Sequence, residues 1–234
     1  MDHNIPGSLQ NLIGNLSECQ DIGNHQVSEI VSQTKFRYKD FEPYFTFNHP
    51  DSESYGRKLI FDNGNYKILL MSWKPGDYTA IHNHGYTEWG CVYFFGDAAH
   101  RLYEVEQNKL ISVEKDNFSR GQVALVCGEL THLMGNSGDK DLATLHIYGS
   151  NTRKDSISEN AKIFAPEHQK IFTTKGTAFL NMSKLLIQKE AELPPINPDL
   201  LEDYFGLVKP FYKRNGISRV LTNMEKQLNQ FTSA

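Results

Sequence analysis

The stretch GDYTAIHNHGYTEWGCVYFFG, residues 76–96, decides how the chain is read. His82 and His84 are one residue apart, and side chains alternate faces along a strand, so in a strand both imidazoles point the same way. The apolar run GCVYFF and the turn signal FGD follow directly. On either side, between residues 57 and 150, lie more short β-rich runs: KILLMSW, HRLYEVE, KLISVE, QVALVC and ATLHIYG. Turn signals such as DNGN, KPGD, KDN and NSGDKD separate them. Many short strands at this spacing predict a mainly β sandwich or barrel, the jelly roll included.

Outside this region the rhythm changes. Leu9, Leu12, Ile13 and Leu16 fall at helical spacing, as do Val27, Ile30 and Val31 after Gly23, so residues 8–34 read as one or two short helices. After Ser150 the strand rhythm fades. AFLNMSKLLIQKEAEL (178–193) has apolar residues at helical intervals, PPINP breaks it, and DLLEDYFGLVKPFY and ISRVLTNMEKQLNQF read as helical again. The expected organisation is an N-terminal helical segment over 1–34, a barrel over 35–150 and a C-terminal helical extension over 151–234. That extension has three open roles: packing on the barrel, forming a homodimer contact or covering the barrel mouth.

The chain's 234 residues suit one domain with a sizeable core. A net charge of -4 argues against nucleic acid as a partner. No apolar run approaches the ~18–20 residues that would span a membrane. MDHNIPGSLQ lacks the basic start and apolar stretch of a signal peptide. Cys19, Cys91 and Cys127 form no paired spacing. A cytoplasmic protein with reduced thiols is expected.

Neutral imidazole is a good ligand for iron, copper, zinc or nickel, and two on one face supply half a site. Alone, His-x-His reads more readily as a solvated surface pair or a histidine stacked on an aromatic ring than as half a metal site. Around it, Gly76 precedes His82 by six residues, Glu88 follows His84 by four, and Gly96 closes the run. Downstream, GQVALVCGELTHLMGN runs from Gly121 through His132 to Asn136. These blocks resemble the paired cupin signatures, G-x5-H-x-H-x3,4-E-x6-G and G-x5-P-x-G-x2-H-x3-N. The first has one extra residue before its last glycine, and the second departs at Cys127 and Glu129. The resemblance implies a cupin jelly-roll barrel whose mouth holds a metal through His82, His84 and His132, with coordination positions left open.

Two further stretches narrow the resemblance. YGRKLIFDNGNYKILLMSW, 55–73, looks like the segment ahead of the metal motif in type I cysteine dioxygenases, with Tyr55 and Arg57 matching its Tyr-x-Arg. TLHIY, 144–148, resembles that family's Ser-x-His-x-Tyr strand, with Thr144 in place of serine and His146 and Tyr148 matching. The likeness covers roughly residues 35–150. It implies Fe(II) as cofactor, with L-cysteine and dioxygen as the small-molecule partners. The cysteine is bound through sulfur and amine, and both oxygen atoms end on sulfur as the sulfinic acid. It also implies that Arg57 fixes the substrate carboxylate and that Tyr148, held by His146 and Thr144, donates a hydrogen bond near the reacting atoms.

The residues can also be read without the family. Thr144, His146 and Tyr148 stand at i, i+2 and i+4, so in a strand they share a face and can form a hydrogen-bonded relay, or be strand residues with satisfied polar tips. Arg57 can grip a carboxylate with its planar fork or make a surface ion pair. Trp73 and Trp89 read as packing residues, and Met134 as a core residue or, less readily, a pocket-lining one. Three neutral imidazoles leave more net positive charge on a ferrous ion than two with a carboxylate, which favours an anionic thiolate. If Glu88 is a fourth ligand, manganese, nickel or copper become plausible, with other substrates. Within the resemblance to type I cysteine dioxygenases, counting without gaps puts Trp89 where the animal enzymes carry a crosslinking cysteine. Cys91 lies two residues on, and no crosslink to Tyr148 is expected. The same chemistry on 3-mercaptopropionate or cysteamine is a sibling reading, and a non-enzymatic cupin that binds a small molecule or stores a metal is a third.

Overall fold

The computed structural model describes residues 5–153 and 156–232, with side chains as far as residue 230. The first four residues of the MDHNIPGSLQ stretch lie outside the described residues. The order is α1 (Gly7–Glu18), α2 (Asn24–Gln33), a 3-10 helix (Tyr38–Tyr44), β1 (Gly56–Asp62), β2 (Tyr66–Trp73), β3 (Ile81–His82), β4 (Trp89–Phe94), β5 (Ala98–Glu106), β6 (Lys109–Phe118), β7 (Val123–Val126), β8 (Thr131–Gly135) and β9 (Leu142–Gly149). Then come β10 (Ala161–Ala165), β11 (Lys170–Thr174), β12 (Lys189–Glu192), α3 (Pro198–Arg214) and α4 (Ser218–Thr232).

The strands form two sheets, β1-β2-β9-β4-β7 and β12-β11-β10-β3-β8-β5-β6, with antiparallel neighbours throughout. From β2 to β5 the chain changes sheet at every strand, and from β6 to β10 it does so again. That winding is the double-stranded jelly roll of cupins, here with two separate sheets rather than a closed cylinder. Leu69, Met71, Trp73, Val92 and Phe94 from the first sheet pack with Ala98 and Met134 from the second, so the sheets face each other.

The helices cover the outer faces. Leu9, Leu12, Leu16, Val27 and Val31 of α1 and α2 pack on Ile68, Leu70, Cys91, Leu145 and Ile147 of the first sheet. Gly23 opens α2, its N–H donating to the Gln26 side chain at 3.0 Å. At the far end Pro198 occupies the first turn of α3, and Asn197 caps it by accepting from the Asp199 N–H at 2.8 Å. The α3 stripe of Leu201, Tyr204, Phe205, Val208 and Phe211 packs on Ile81, Leu133 and Ile163 of the second sheet. Two polar fastenings add direction to that packing. Buried Glu167 accepts from the Tyr204 and Tyr212 hydroxyls at 2.9 and 2.6 Å. Buried Asp77 accepts from Arg214 at 2.6 Å and lies 3.0 Å from His49 Nε2.

The structure corrects the reading of the region after Ser150. β10, β11 and β12 extend the second sheet, so 151–234 is not wholly helical. AFLNMSKLLIQKEAEL forms no α-helix: it holds a 3-10 turn at Lys184–Leu186 and then β12. Its apolar residues meet no surface as one stripe, since Leu185 is 95% exposed, whereas the β11 edge offers β12 a ladder of backbone partners. No helix among the described residues is long and apolar enough to cross a membrane.

Candidate metal centre

β3 is only two residues long, yet it sets the site. It lies between β10 and β8, with His82 directly opposite His132. Directly opposed residues share a face, so the two imidazoles project together into the space between the sheets. His84 follows just past the strand end, and its chain then turns sharply at Gly85, φ +57°. A side chain at Gly85 would put its Cβ about 2.0 Å from the Glu159 carbonyl oxygen. The ring centroids of His82, His84 and His132 are 4.7–5.0 Å apart, and one nitrogen from each lies within 4.8 Å of the others. Among the described residues this is the one group of histidine, cysteine or carboxylate side chains so placed.

All three imidazoles are buried. Burial, first among the causes, holds His82 down to about 4 and His84 and His132 well below the ordinary histidine value. They are therefore neutral at physiological pH, the state a metal ligand requires. The His82 Nδ1–H donates to the Ala80 carbonyl at 3.0 Å, which leaves Nε2 as the lone-pair donor. His132 Nδ1 lies 3.0 Å from Nε2 of His100, a β5 residue that no spacing motif singles out. The donor set fits a divalent transition metal: three converging neutral nitrogens with space in front of them.

Across the cavity stands the β9 row, part of the first sheet. Thr144 Oγ1 lies 2.7 Å from His146 Nε2, and His146 Nδ1 lies 2.6 Å from the Tyr148 hydroxyl. The predicted relay is thus assembled, and it has a head that the sequence did not reveal. The Trp73 Nε1–H donates to Thr144 Oγ1 at 2.9 Å. With one lone pair so used, the fully buried Thr144 hydroxyl hydrogen needs an acceptor, and an unmade buried hydrogen bond costs about 1–3 kcal/mol. His146 Nε2 is the other partner in reach, so Thr144 donates to it. The His146 Nδ1–H then donates to Tyr148, whose own hydrogen is left to point into the cavity. Burial holds His146 down to about 3 and pushes the Tyr148 phenol up, so both stay neutral. The Tyr148 and His84 rings are 5.2 Å apart, which sets the relay's end beside the metal cluster.

The remaining residues take distinct places. Tyr55 stacks on Trp73 at 4.7 Å and lines the cavity, its hydroxyl accepting from the Ala178 N–H at 3.3 Å. Met134 lines it too and is buried. Thr87, which the sequence did not point to, borders the same cavity with its hydroxyl buried and unpaired among the described residues. Arg57 is in register with Met71 and, through it, Thr144, but it borders a neighbouring groove with Thr46, His49 and Glu53 rather than the cavity itself. Its Nε is buried with no partner among the described residues, and its positive charge acts on both His146 and Tyr148.

Glu88 is not part of the cluster. Its carboxylate is turned to the loop after β9, accepting from the Asn151 N–H at 2.6 Å and from the Thr152 hydroxyl. Its slight burial raises its pKa, but the Thr152 and Asn151 hydrogen bonds outweigh this and hold it below the usual carboxylate value. Replacing Glu88 with glutamine is therefore expected to leave bound metal unchanged; metal analysis of the purified variant tests this, and a loss of metal would restore the four-ligand reading. Trp89 packs against the outer helices, and Cys91 sits on that same outward face beside Ile147. Tyr148 instead pairs with Gly90 on the inner face, where a Cβ would come within 3.1 Å of the Tyr148 ring. Cys91 and Tyr148 thus lie on opposite faces of the sheet, and all three cysteines are free.

The family model for cysteine dioxygenase type I matches residues 3–153, well over half of the chain. Among solved structures, the chain is similar to a protein of Thermus thermophilus, with 16% identity over 49% of this chain and 97% of that one, TM-score 0.39. It is similar to an uncharacterised double-stranded β-helix protein of Klebsiella pneumoniae, with 14% identity over 47% and 90%, TM-score 0.36. It is also similar to the formate complex of Lactobacillus farciminis oxalate decarboxylase, with 19% identity over 44% and 30%, TM-score 0.36.

Proposed function

We propose that this chain, which belongs to the cysteine dioxygenase type I family, is an Fe(II)-dependent thiol dioxygenase that converts L-cysteine and dioxygen to cysteine sulfinic acid. The observation that carries the reading is the meeting of two halves: three neutral imidazoles, two on the second sheet and one just past the end of β3, and a phenol held by a polarised relay on the first sheet. His82, His84 and His132 would hold the ion. When bound, Fe(II) supplies a redox centre at which a thiolate and dioxygen can react, and its charge lowers the thiol pKa. The reaction balances as RSH + O2 → RSO2H: sulfur gives up four electrons and the two oxygen atoms take them.

The chain's own residues prepare that reaction. Tyr148 offers its O–H to the cavity, with His146 and Thr144 fixing its direction. Buried surroundings keep water out and strengthen that hydrogen bond. Arg57 fixes the substrate carboxylate, a role supported by its unpaired buried Nε and its register with Met71 and Thr144. Trp73 keeps the relay pointing one way. Trp73→Phe is expected to lower kcat by about 2- to 10-fold, the equivalent of one hydrogen bond, with iron content unchanged. Equal kcat in variant and parent would remove Trp73 from the relay.

The direct test is to reconstitute the purified protein with Fe(II) under anaerobic conditions and follow oxygen uptake and product with cysteine, 3-mercaptopropionate and cysteamine. Sulfinate formed with one oxygen molecule consumed per thiol supports the reading, and an absence of uptake with every thiol overturns it. Arg57→Ala is expected to raise KM for cysteine about 10- to 100-fold while sparing cysteamine, which has no carboxylate. Equal effects on the two substrates would take Arg57 out of the substrate pocket.

A further inference from the structure

We infer that His100 is a positioning residue for the metal centre: it fixes the ring and tautomer of His132 so that His132 Nε2 is presented to the ion. The inference rests on the reading that His82, His84 and His132 hold Fe(II). His82 already has such a partner in the Ala80 carbonyl, which can only accept. His132 is steered differently, because its Nδ1 faces a second imidazole nitrogen, His100 Nε2, at 3.0 Å. For His132 to give Nε2 to a metal, its Nδ1 must carry the hydrogen and donate it. His100 can accept only as the tautomer with its own hydrogen on Nδ1.

The strand register makes this contact a built one. Leu102 stands opposite His132 in the β5–β8 ladder, so His100, two residues away, is its diagonal neighbour on the same face. Phe118 packs edge-on against the His100 ring, centroids 5.2 Å apart, and is itself stacked on Phe94 at 4.6 Å. The acceptor nitrogen is thereby held in place, and its placement preorganises one of three ligands before any ion arrives.

The test compares His100→Leu with His100→Gln, two side chains of similar size of which only glutamine can accept. Fe(II) affinity is measured by competition with a chelator, alongside thermal melting of the metal-free variants. His100→Leu is expected to bind Fe(II) about 10- to 100-fold more weakly than the parent, and His100→Gln to stay within a few-fold of it. Equal affinities for Leu and Gln variants, whether both intact or both weakened, overturn the inference. A second measurement needs no variant. In the Zn(II)-loaded parent protein, long-range proton–nitrogen spectra should show His100 with its hydrogen on Nδ1, and a hydrogen on Nε2 instead overturns the inference. A parent protein that takes up neither ion would overturn the three-histidine centre itself, a result distinct from either of these.

Discussion

Replacing His132 with alanine is expected to abolish stoichiometric Fe(II) binding and, with it, thiol oxidation. Three neutral nitrogens lie within 4.8 Å of one another, no aspartate or glutamate is among the residues lining the cavity, and Glu88 is committed to Asn151 and Thr152. Loss of a partner behind a ligand typically costs 10- to 100-fold in metal affinity, so loss of the ligand itself should cost more than about 100-fold. The variant also removes the contact made by His100 and relieves the crowding of three buried imidazoles, so the metal-free fold should persist. Elemental analysis after reconstitution, paired with oxygen uptake, measures both effects. Full metal content with normal turnover would mean that the ion sits elsewhere.

Acid is expected to destabilise the metal-free protein progressively from about pH 6.5 downward, beginning above the ordinary carboxylate range. His82 and His146 are held down to about 4 and about 3 by burial, against about 6.5 in the unfolded chain. Below pH ~6.5 the unfolded state binds more protons than the folded one, so stability falls as pH falls. The contribution of these histidines is intact above that value and is lost progressively toward pH 4 and below. A displacement of this size corresponds to roughly 3 kcal/mol for one fully titrated site. The imidazoles lie side by side, so their losses do not simply add. His49 works in the other direction: although burial lowers its pKa, contact with Asp77 raises it overall, so it adds stability in acid. That single contact cannot offset a whole buried cluster. Denaturant midpoints measured at pH 7, 6, 5 and 4 should descend steadily, and Fe(II) should shift the descent to lower pH because it binds only the unprotonated ligands. A flat profile would show that the imidazoles are wetter than their burial implies.

Much of this site was legible in the sequence because a strand's period of two makes face-sharing visible in one dimension. Thr144 with His146 and Tyr148 needed no more than alternation and the family likeness, whereas His84 joins His82 from just past the end of β3 and rested on the likeness. His132 needed the likeness, because its place opposite His82 is a register between strands fifty residues apart. Trp73 and His100 were hidden for a different reason. Their importance lies in single hydrogen bonds across strands, and neither a packing-type tryptophan nor a lone histidine in HRLYEVE advertises such a bond. At the fold level, the mainly β core, the helices before residue 34 and the helices after Pro198 followed from periodicity, and the jelly-roll winding from the family likeness. β10 to β12 did not, because short strands such as AKIFA and KIFTT carry little alternation and owe their form to the edges they join.

α3, layered over the second sheet, insulates the strands that carry His82 and His132. β3 and β8 are neither surface nor wall: one side carries His82 and His132, and the other carries Ile81 and Leu133 sealed beneath α3. A chain shortened ahead of Pro198 would leave that greasy underside facing solvent, and the pull to hide it would be felt directly by the two histidines anchored a single peptide unit away. Removing α3 is therefore expected to disturb the alignment of His82 and His132, although no residue beyond Gly176 is among those lining the cavity.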